Sequence, residues 1–172
     1  MVQEIIEEFR MVQGFIDYQV SNMGRVYSLK TKRILKQGSD GHGYMKVSLY
    51  KDHKQITCKI HQLVANEFLE NPENKKCVDH KNGNKTDNKV TNLRFATHSE
   101  NNRNTTKRQN SYSKYLGVTW DKSCKKWKCH ARDKCGKVKH LGLFVNETDA
   151  ALAYNQYVSA DFSEFCKLNQ ID

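Results

Sequence analysis

The densest run of chemically useful side chains is VDHKNGNKTDNKVTNLRFATHSENN, positions 78–102. Asp79 and His80 stand next to each other there, with asparagines at positions 92, 101 and 102. On a strand, adjacent side chains point to opposite faces, so one of the pair is able to bind a cation while the other meets a substrate. Hydrolysis of a phosphodiester needs a deprotonated water, neutralised phosphate charge and a stabilised leaving oxygen. An imidazole takes the water proton near neutral pH. A divalent cation on a hard oxygen ligand covers the other two needs. Asp79 offers an anionic oxygen and Asn101 an amide oxygen. The plainer alternative is a polar surface loop, because Asp-His pairs and Asn-rich stretches are common in turns and caps.

The elements that must position these residues are short. Cys77-Val78 enters a strand that carries Asp79 and His80, 81–88 reads as a polar loop with an Asn82-Gly83 turn, and 93–96 as a second strand. Thr97 or Ser99 is placed to cap a helix beginning near Glu100. Upstream, Ile60, Leu63, Val64, Ala65 and Phe68 recur at helical spacing over 60–69, and Asn71-Pro72 ends that helix. His61 falls on its apolar face and reads as a satisfied structural histidine. Residues 1–56 read as small antiparallel strands, notably 15–20, 25–29 and 44–50, around Gly and Asn turns. Residues 105–114 are polar without an aliphatic side chain and read as a linker. Beyond it come three strands, 116–119, 127–132 and 138–143, then a helix over 148–159 with Thr148 or Asn146 as N-cap.

The charge is unevenly placed. The chain of 172 residues carries a formal charge of +10, yet positions 107–140 alone hold eleven Lys and Arg against two acidic residues. A one-sided basic stretch of this kind suits a polyanionic partner. Hydrophobic residues make up 37%, which implies thin cores. No apolar run approaches the ~20 residues of a membrane helix, and the acidic N-terminus lacks a secretory signal's apolar stretch. An intracellular protein with no membrane partner is expected. The six cysteines form no C-x-x-C pair, and the spacing of Cys124, Cys129 and Cys135 is loose for zinc.

The ordered pattern over positions 61–104 resembles the HNH nuclease family. Its specific part is the Asp79-His80 pair, an asparagine twelve residues after the histidine, and another nine residues later. The resemblance implies a ββα-metal finger, with His80 as general base and Asn92 bracing the loop and orienting the histidine. It implies Asp79 and Asn101 as metal ligands. Asn101 stands where the family usually has histidine, as in its homing-endonuclease branch; Asn102, one residue on, is the alternative ligand. His98 would fill a histidine role in a shifted register. Asparagine at that position favours Mg²⁺ or Mn²⁺ over zinc.

Two flanking segments carry further resemblances. GFIDYQVSNMGRVYSL (14–29) and GHGYMKVSL (41–49) look like the nuclease-associated modular domain. That likeness makes Arg25, Lys30, Lys32 and Arg33 candidates for phosphate contact. Residues 115–169, through YLGV, KKWKCHA, LGLF, TDAALAYN and FCKLN, resemble the APETALA/ethylene-response-factor DNA-binding domain. That family's fold is a three-stranded antiparallel sheet on one helix, a shape that enters a major groove. Arg132 is the candidate for guanine, and Lys125, Lys126, Lys128 and Lys139 for phosphate. Trp120 and Trp127 are placed either on DNA or in the core. If Trp127 meets the groove, strand parity sets it apart from Lys126, Lys128, His130 and Arg132.

The expected architecture is α+β, three modules in series: 1–56 strand-rich, 57–104 nuclease core, and, after the 105–114 linker, 115–172 as the DNA reader. The expected partner is double-stranded DNA, bound by a monomer, with a dimer as the alternative; one centre cuts one strand at a time. Two rivals stand beside this: a regulator that binds DNA on an inactive nuclease scaffold, and an RNA-binding or RNA-processing protein. The narrow major groove of A-form RNA disfavours the second.

Overall fold

The structure is a computed structural model that describes residues 6–104, 112–133, 135–162 and 165–171. The backbone divides into two compact units, Met1–His98 and Ser99–Asp172.

In the first unit, β1 (Phe9–Val12), β2 (Phe15–Ser21), β3 (Val26–Ser28) and β4 (Arg33–Ile34) form an antiparallel sheet in chain order. A second antiparallel sheet holds β5 (Gly38–Ser39), β6 (Met45–Lys51) and β7 (Lys54–Lys59). β7 runs straight into α1 (Ile60–Phe68), which ends where the Leu69 N–H bonds the Ala65 carbonyl, three residues before Pro72. β8 (Cys77–His80) then pairs antiparallel with β9 (Leu93–Ala96) across a loop that closes in a 3-10 turn, Val90–Asn92. α2 (His98–Arg103) begins at the last residue of this unit.

Alternation on the strands explains the core. Tyr18 and Val20 of β2, and Val47 and Leu49 of β6, point inward and meet Ile60, Leu63 and Val64 of α1 and Leu93 of β9 in one cluster. Residues 1–56 and the strands and helix that follow to residue 98 pack as one compact unit around this cluster. Sheets of three and four short strands and a nine-residue helix bury too little surface to stand alone, so both segments share one interior. The Tyr18 hydroxyl joins the two sheets by accepting the Tyr50 N–H at 3.1 Å. β7 escaped the sequence reading because five of its six side chains are exposed; only its register with β6, Lys46↔Lys59 to Lys51↔Lys54, defines it.

The second unit contains β10 (Val118–Asp121), β11 (Lys126–Arg132) and β12 (Val138–Phe144), a three-stranded antiparallel sheet in that order, and α3 (Glu147–Phe162). Tyr115, Val118, Cys129, Ala150 and Ala151 are its buried centre. The small alanines let the helix lie close to the sheet. Most of the expected linker, 105–111, lies outside the described residues. Its end is no linker: Ser113 is buried and its hydroxyl accepts the Tyr115 N–H, while the Lys114 N–H meets the Glu147 carboxylate. Among the described residues no helix is long and apolar enough to cross a membrane.

Candidate active site and nucleic-acid interface

Asp79 and His80 close β8, and both are 4% exposed. The two side chains meet different partners, Arg94 for Asp79 and Asn88 for His80. In register, Asp79 lies opposite Arg94 and His80 opposite Leu93. The Arg94 guanidinium donates to Asp79 Oδ2 from Nε at 2.9 Å and from Nη2 at 2.8 Å. A buried carboxylate needs such a countercharge, since burial without one costs several kcal/mol, roughly the whole margin of a small fold.

The His80 ring is fixed on several sides. Its Nε2 lies 3.1 Å from Asn88 Oδ1. The Asn88 amide cannot turn over without losing a second bond, because its Nδ2 donates to the Thr86 carbonyl at 3.1 Å. Asn88 therefore presents an acceptor, Nε2 carries the proton, and the lone pair of the neutral ring falls on Nδ1. His61 and Tyr44 complete the surroundings, with ring centroids 5.0 Å and 6.0 Å from that of His80. Burial holds the His80 pKa below its usual value against the opposing pull of Asn88 and Asp79, so the imidazole is neutral at pH 7. His61 is pushed down to about 4, first by burial and then by His80 and Lys59. The structure corrects one expectation here: His61 is buried, and its Nδ1 finds no hydrogen-bond partner among the described residues.

Asn92 ties the intervening loop at three points. Its carbonyl accepts the Lys81 N–H at 2.8 Å, its Oδ1 accepts the Asn82 N–H at 3.0 Å, and its Nδ2 donates to the Asp87 carbonyl at 2.7 Å. The amide that meets the imidazole, however, belongs to Asn88, which sequence reasoning missed. Six asparagines lie between 82 and 102, and residue type alone does not single out the one that meets the imidazole. The turn at Gly24 supplies the missing constraint. Gly24 has φ +85° and comes so near Asn88 that a Cβ there would sit 3.0 Å from the Asn88 Cβ. The Asn22 carbonyl also accepts the Val90 N–H at 2.8 Å. The amino-terminal strands thus hold the loop that holds the histidine.

Asp79, His80 and Asn92 lie in the first unit; Asn101 and Asn102 lie on α2 in the second. His98 Nδ1 lies 3.2 Å from Cys77 Sγ. No group of three or more His, Cys, Asp or Glu side chains that could hold a metal occurs among the described residues. What this chain offers a cation is therefore a buried carboxylate and asparagine oxygens. That set fits a hard cation that keeps water and phosphate oxygens as its remaining ligands, and fits poorly the Cys/His cage of zinc.

The basic candidates fall into different settings. Arg25 is held by Glu7 through two contacts and lies 5.9 Å from the Phe9 ring, so its charge is already matched. Arg33 is exposed on β4, with Lys30 and Lys32 in the turn before it. In the second unit, Cys129 and Ala131 of β11 are buried against α3, while Lys126, Lys128 and Arg132 are exposed and His130 half-buried. Trp127 lies on the core side and stacks edge-on with Trp120, centroids 5.0 Å apart. The structure thus gives Trp127 a packing place in the core, and the groove-facing option for it is withdrawn. Lys125 occupies the turn before β11 with φ 51°. Lys139 leans over the Tyr157 ring of α3 at 5.0 Å, away from the open face. Arg132 donates to the Gly136 carbonyl at 2.9 Å.

A strand ending in Asp-His, a polar loop, a returning strand and then a helix make up, in chain order, the frame of a ββα nuclease finger. The chain belongs to the HNH endonuclease family. Residues 58–103 match the HNH endonuclease family and residues 7–50 the NUMOD4 motif. Similar proteins include DNA endonuclease I-HmuI of Bacillus phage SP01, 44% identical over 91 residues, 52% of this chain and 52% of that one. The H-N-H endonuclease F-TflII of Escherichia phage T5 is 31% identical over 103 residues, 59% of this chain and 53% of that one. The matched regions thus span about half the length of these relatives. A solved structure, described as DNA binding and cleavage by the HNH homing endonuclease I-HmuI, superposes with a TM-score of 0.54 at 30% identity, covering 86% of this chain and 82% of that one.

Proposed function

We propose that this protein is a metal-dependent DNA endonuclease of the homing type, cutting at His80. The observation that carries the reading is the buried His80 imidazole, held by an Asn88 amide that presents its oxygen to Nε2 and so leaves Nδ1 as the ring's acceptor. That is the state a general base needs before it takes a proton from water. The water oxygen attacks phosphorus, and the 3′ oxygen leaves, giving 5′-phosphate and 3′-hydroxyl ends. Asp79 and Asn101, with Asn102 as the alternative to Asn101, would hold the ion, Mg²⁺ or Mn²⁺. When bound, the ion supplies neutralisation of phosphate charge and stabilisation of the leaving oxygen. Arg94 pairs with the Asp79 carboxylate in its buried place, and Asn92 keeps the loop closed.

The second unit serves in this reading as the DNA reader, akin to the APETALA/ethylene-response-factor domain. Its open sheet face carries Lys126, Lys128 and Arg132 together, the arrangement a groove-binding strand requires. Arg132 reaches guanine; Lys125, Lys126 and Lys128 hold phosphates; Lys139, Arg25 and Arg33 give secondary contacts. Trp120 supports the sheet from behind. The protein acts as a monomer on duplex DNA inside the cell and nicks one strand per event.

The test is plasmid nicking with Mg²⁺ beside a DNA-binding measurement. His80→Ala is expected to lose cutting by at least about 100-fold while binding DNA as the parent does. An intact plasmid after incubation with the unaltered protein under Mg²⁺ and Mn²⁺ would refute the reading. Asp79→Ala and Asn101→Ala should each weaken Mn²⁺ binding measured by calorimetry; if only one does, the shared ion is wrong.

A further inference from the structure

The loop that follows the proposed catalytic histidine carries a cation that is held in place with no acidic partner among the described residues. Lys85 donates from Nζ to the His42 carbonyl at 3.0 Å. The same Nζ lies 4.4 Å from the centre of the Tyr44 ring. Its stem runs along Gly43, where an added Cβ would come within 3.6 Å of the Lys85 Cδ. Three consecutive residues of the turn before β6 thus form a bracket for one exposed lysine. A free lysine keeps up to about 2 kcal/mol of side-chain entropy, and this arrangement surrenders much of it in advance.

Charge makes the arrangement more telling. Lys59 sits over the same ring, its Nζ 4.8 Å from the centroid. Asp40 lies 3.9 Å from Lys59 and meets part of that charge, whereas no salt bridge to Lys85 is found among the described residues. Two ammonium groups gathered on one ring repel each other unless an anion joins them. The ring they share lies against His80, centroid to centroid 6.0 Å. A phosphate seated on the histidine would therefore be within reach of a pre-placed ammonium.

We propose that Lys85 is a substrate-contacting residue that binds a non-bridging oxygen of the DNA phosphate lying against His80, with Tyr44 and the His42 carbonyl as its bracket. The proposal rests on the endonuclease reading for the identity of the substrate. Lys85 is exposed, so replacing it leaves the core untouched.

The experiment compares the full-length protein with Lys85→Met and Lys85→Arg, and with Lys54→Met as a charge-matched control at the start of β7. Two quantities are read: the single-turnover nicking rate at saturating protein, and the slope of log affinity for DNA against log salt in metal-free buffer. Lys85→Met is expected to slow nicking roughly 100-fold, as when one charge-stabilising donor is removed, and to reduce the slope by about one. Lys85→Arg should recover most of the rate, and Lys54→Met should keep it. A lowered slope with an unchanged nicking rate overturns the proposal by moving the contact away from the cutting centre. A lowered rate with an unchanged slope overturns it by making Lys85 a positioning residue. If the unaltered protein binds but never nicks, the endonuclease reading fails on its own, while the slope still decides whether Lys85 meets a phosphate.

Discussion

At residue scale, the histidine pair sets how the first unit responds to acid. His61 is buried and its pKa lies at about 4, against about 6.5 for a solvated histidine. Its folded pKa is the lower one, so as pH falls through 6.5 the unfolded chain takes up a proton that the folded chain refuses. Stability is therefore full above that value and declines as pH falls toward 4, by on the order of 3 kcal/mol for this one group. His80, also lowered by burial, acts in the same direction. Thermal unfolding at pH 7.5 and pH 4.5 should show a marked loss for the natural sequence and a smaller one for His61→Phe, which keeps a ring of similar breadth and has no proton to gain. Equal losses in the two proteins would exonerate His61. The sequence revealed the histidine's place on an apolar helix face. It did not reveal the orphaned Nδ1, because that depends on Tyr44 and His80 arriving from elsewhere in the chain.

At the scale of elements, the decisive contact is a turn against a loop. Gly24 adopts a left-handed backbone that other residues enter only with strain, and it presses on Asn88. Gly24→Ala is expected to cost about 1–3 kcal/mol and to cut nicking at a temperature where the variant is still folded, because Asn88 would shift from His80. Unaltered nicking by folded Gly24→Ala would show that the turn does not set the histidine. In the second unit, Gly117 has φ +73°, and a Cβ there would overlap the Tyr154 ring and the His130 carbonyl oxygen. Gly117→Ala should destabilise that unit by about 2–4 kcal/mol and weaken DNA binding; a normal melting curve would contradict this. Helices α1 and α3, and strands β2, β6, β9, β11 and β12, were legible because period and apolar spacing announce them. β7 was not, being exposed along almost its whole length. Asn88 was not either, since its role depends on Gly24, 64 residues earlier.

At the scale of the whole molecule, composition had already separated two kinds of surface. Positions 107–140 hold nearly all the net charge, and the described part of that stretch builds the strands β10 and β11 and the start of β12. Each phosphate contact adds about 0.9 to the salt slope of duplex binding. Replacing Lys126, Lys128 and Arg132 by glutamine should therefore lower that slope by roughly 2–3, while low-salt nicking persists because none of the three belongs to the proposed cutting centre. A slope that stays put would take DNA off this sheet face. The boundary near residue 57 separates the two family matches, but pattern reports elements, and only packing reports that those on either side of it share an interior.

That shared interior matters to anyone who would move the cutting finger into another protein. Lifting out residues 57–104 alone would strip Ile60, Val64 and Leu93 of their partners Tyr18, Val20 and Val47, leaving an oily wound open to water. It would also remove the turn that keeps Asn88 on the imidazole. The smallest transplantable cutter accordingly takes its amino-terminal strands with it.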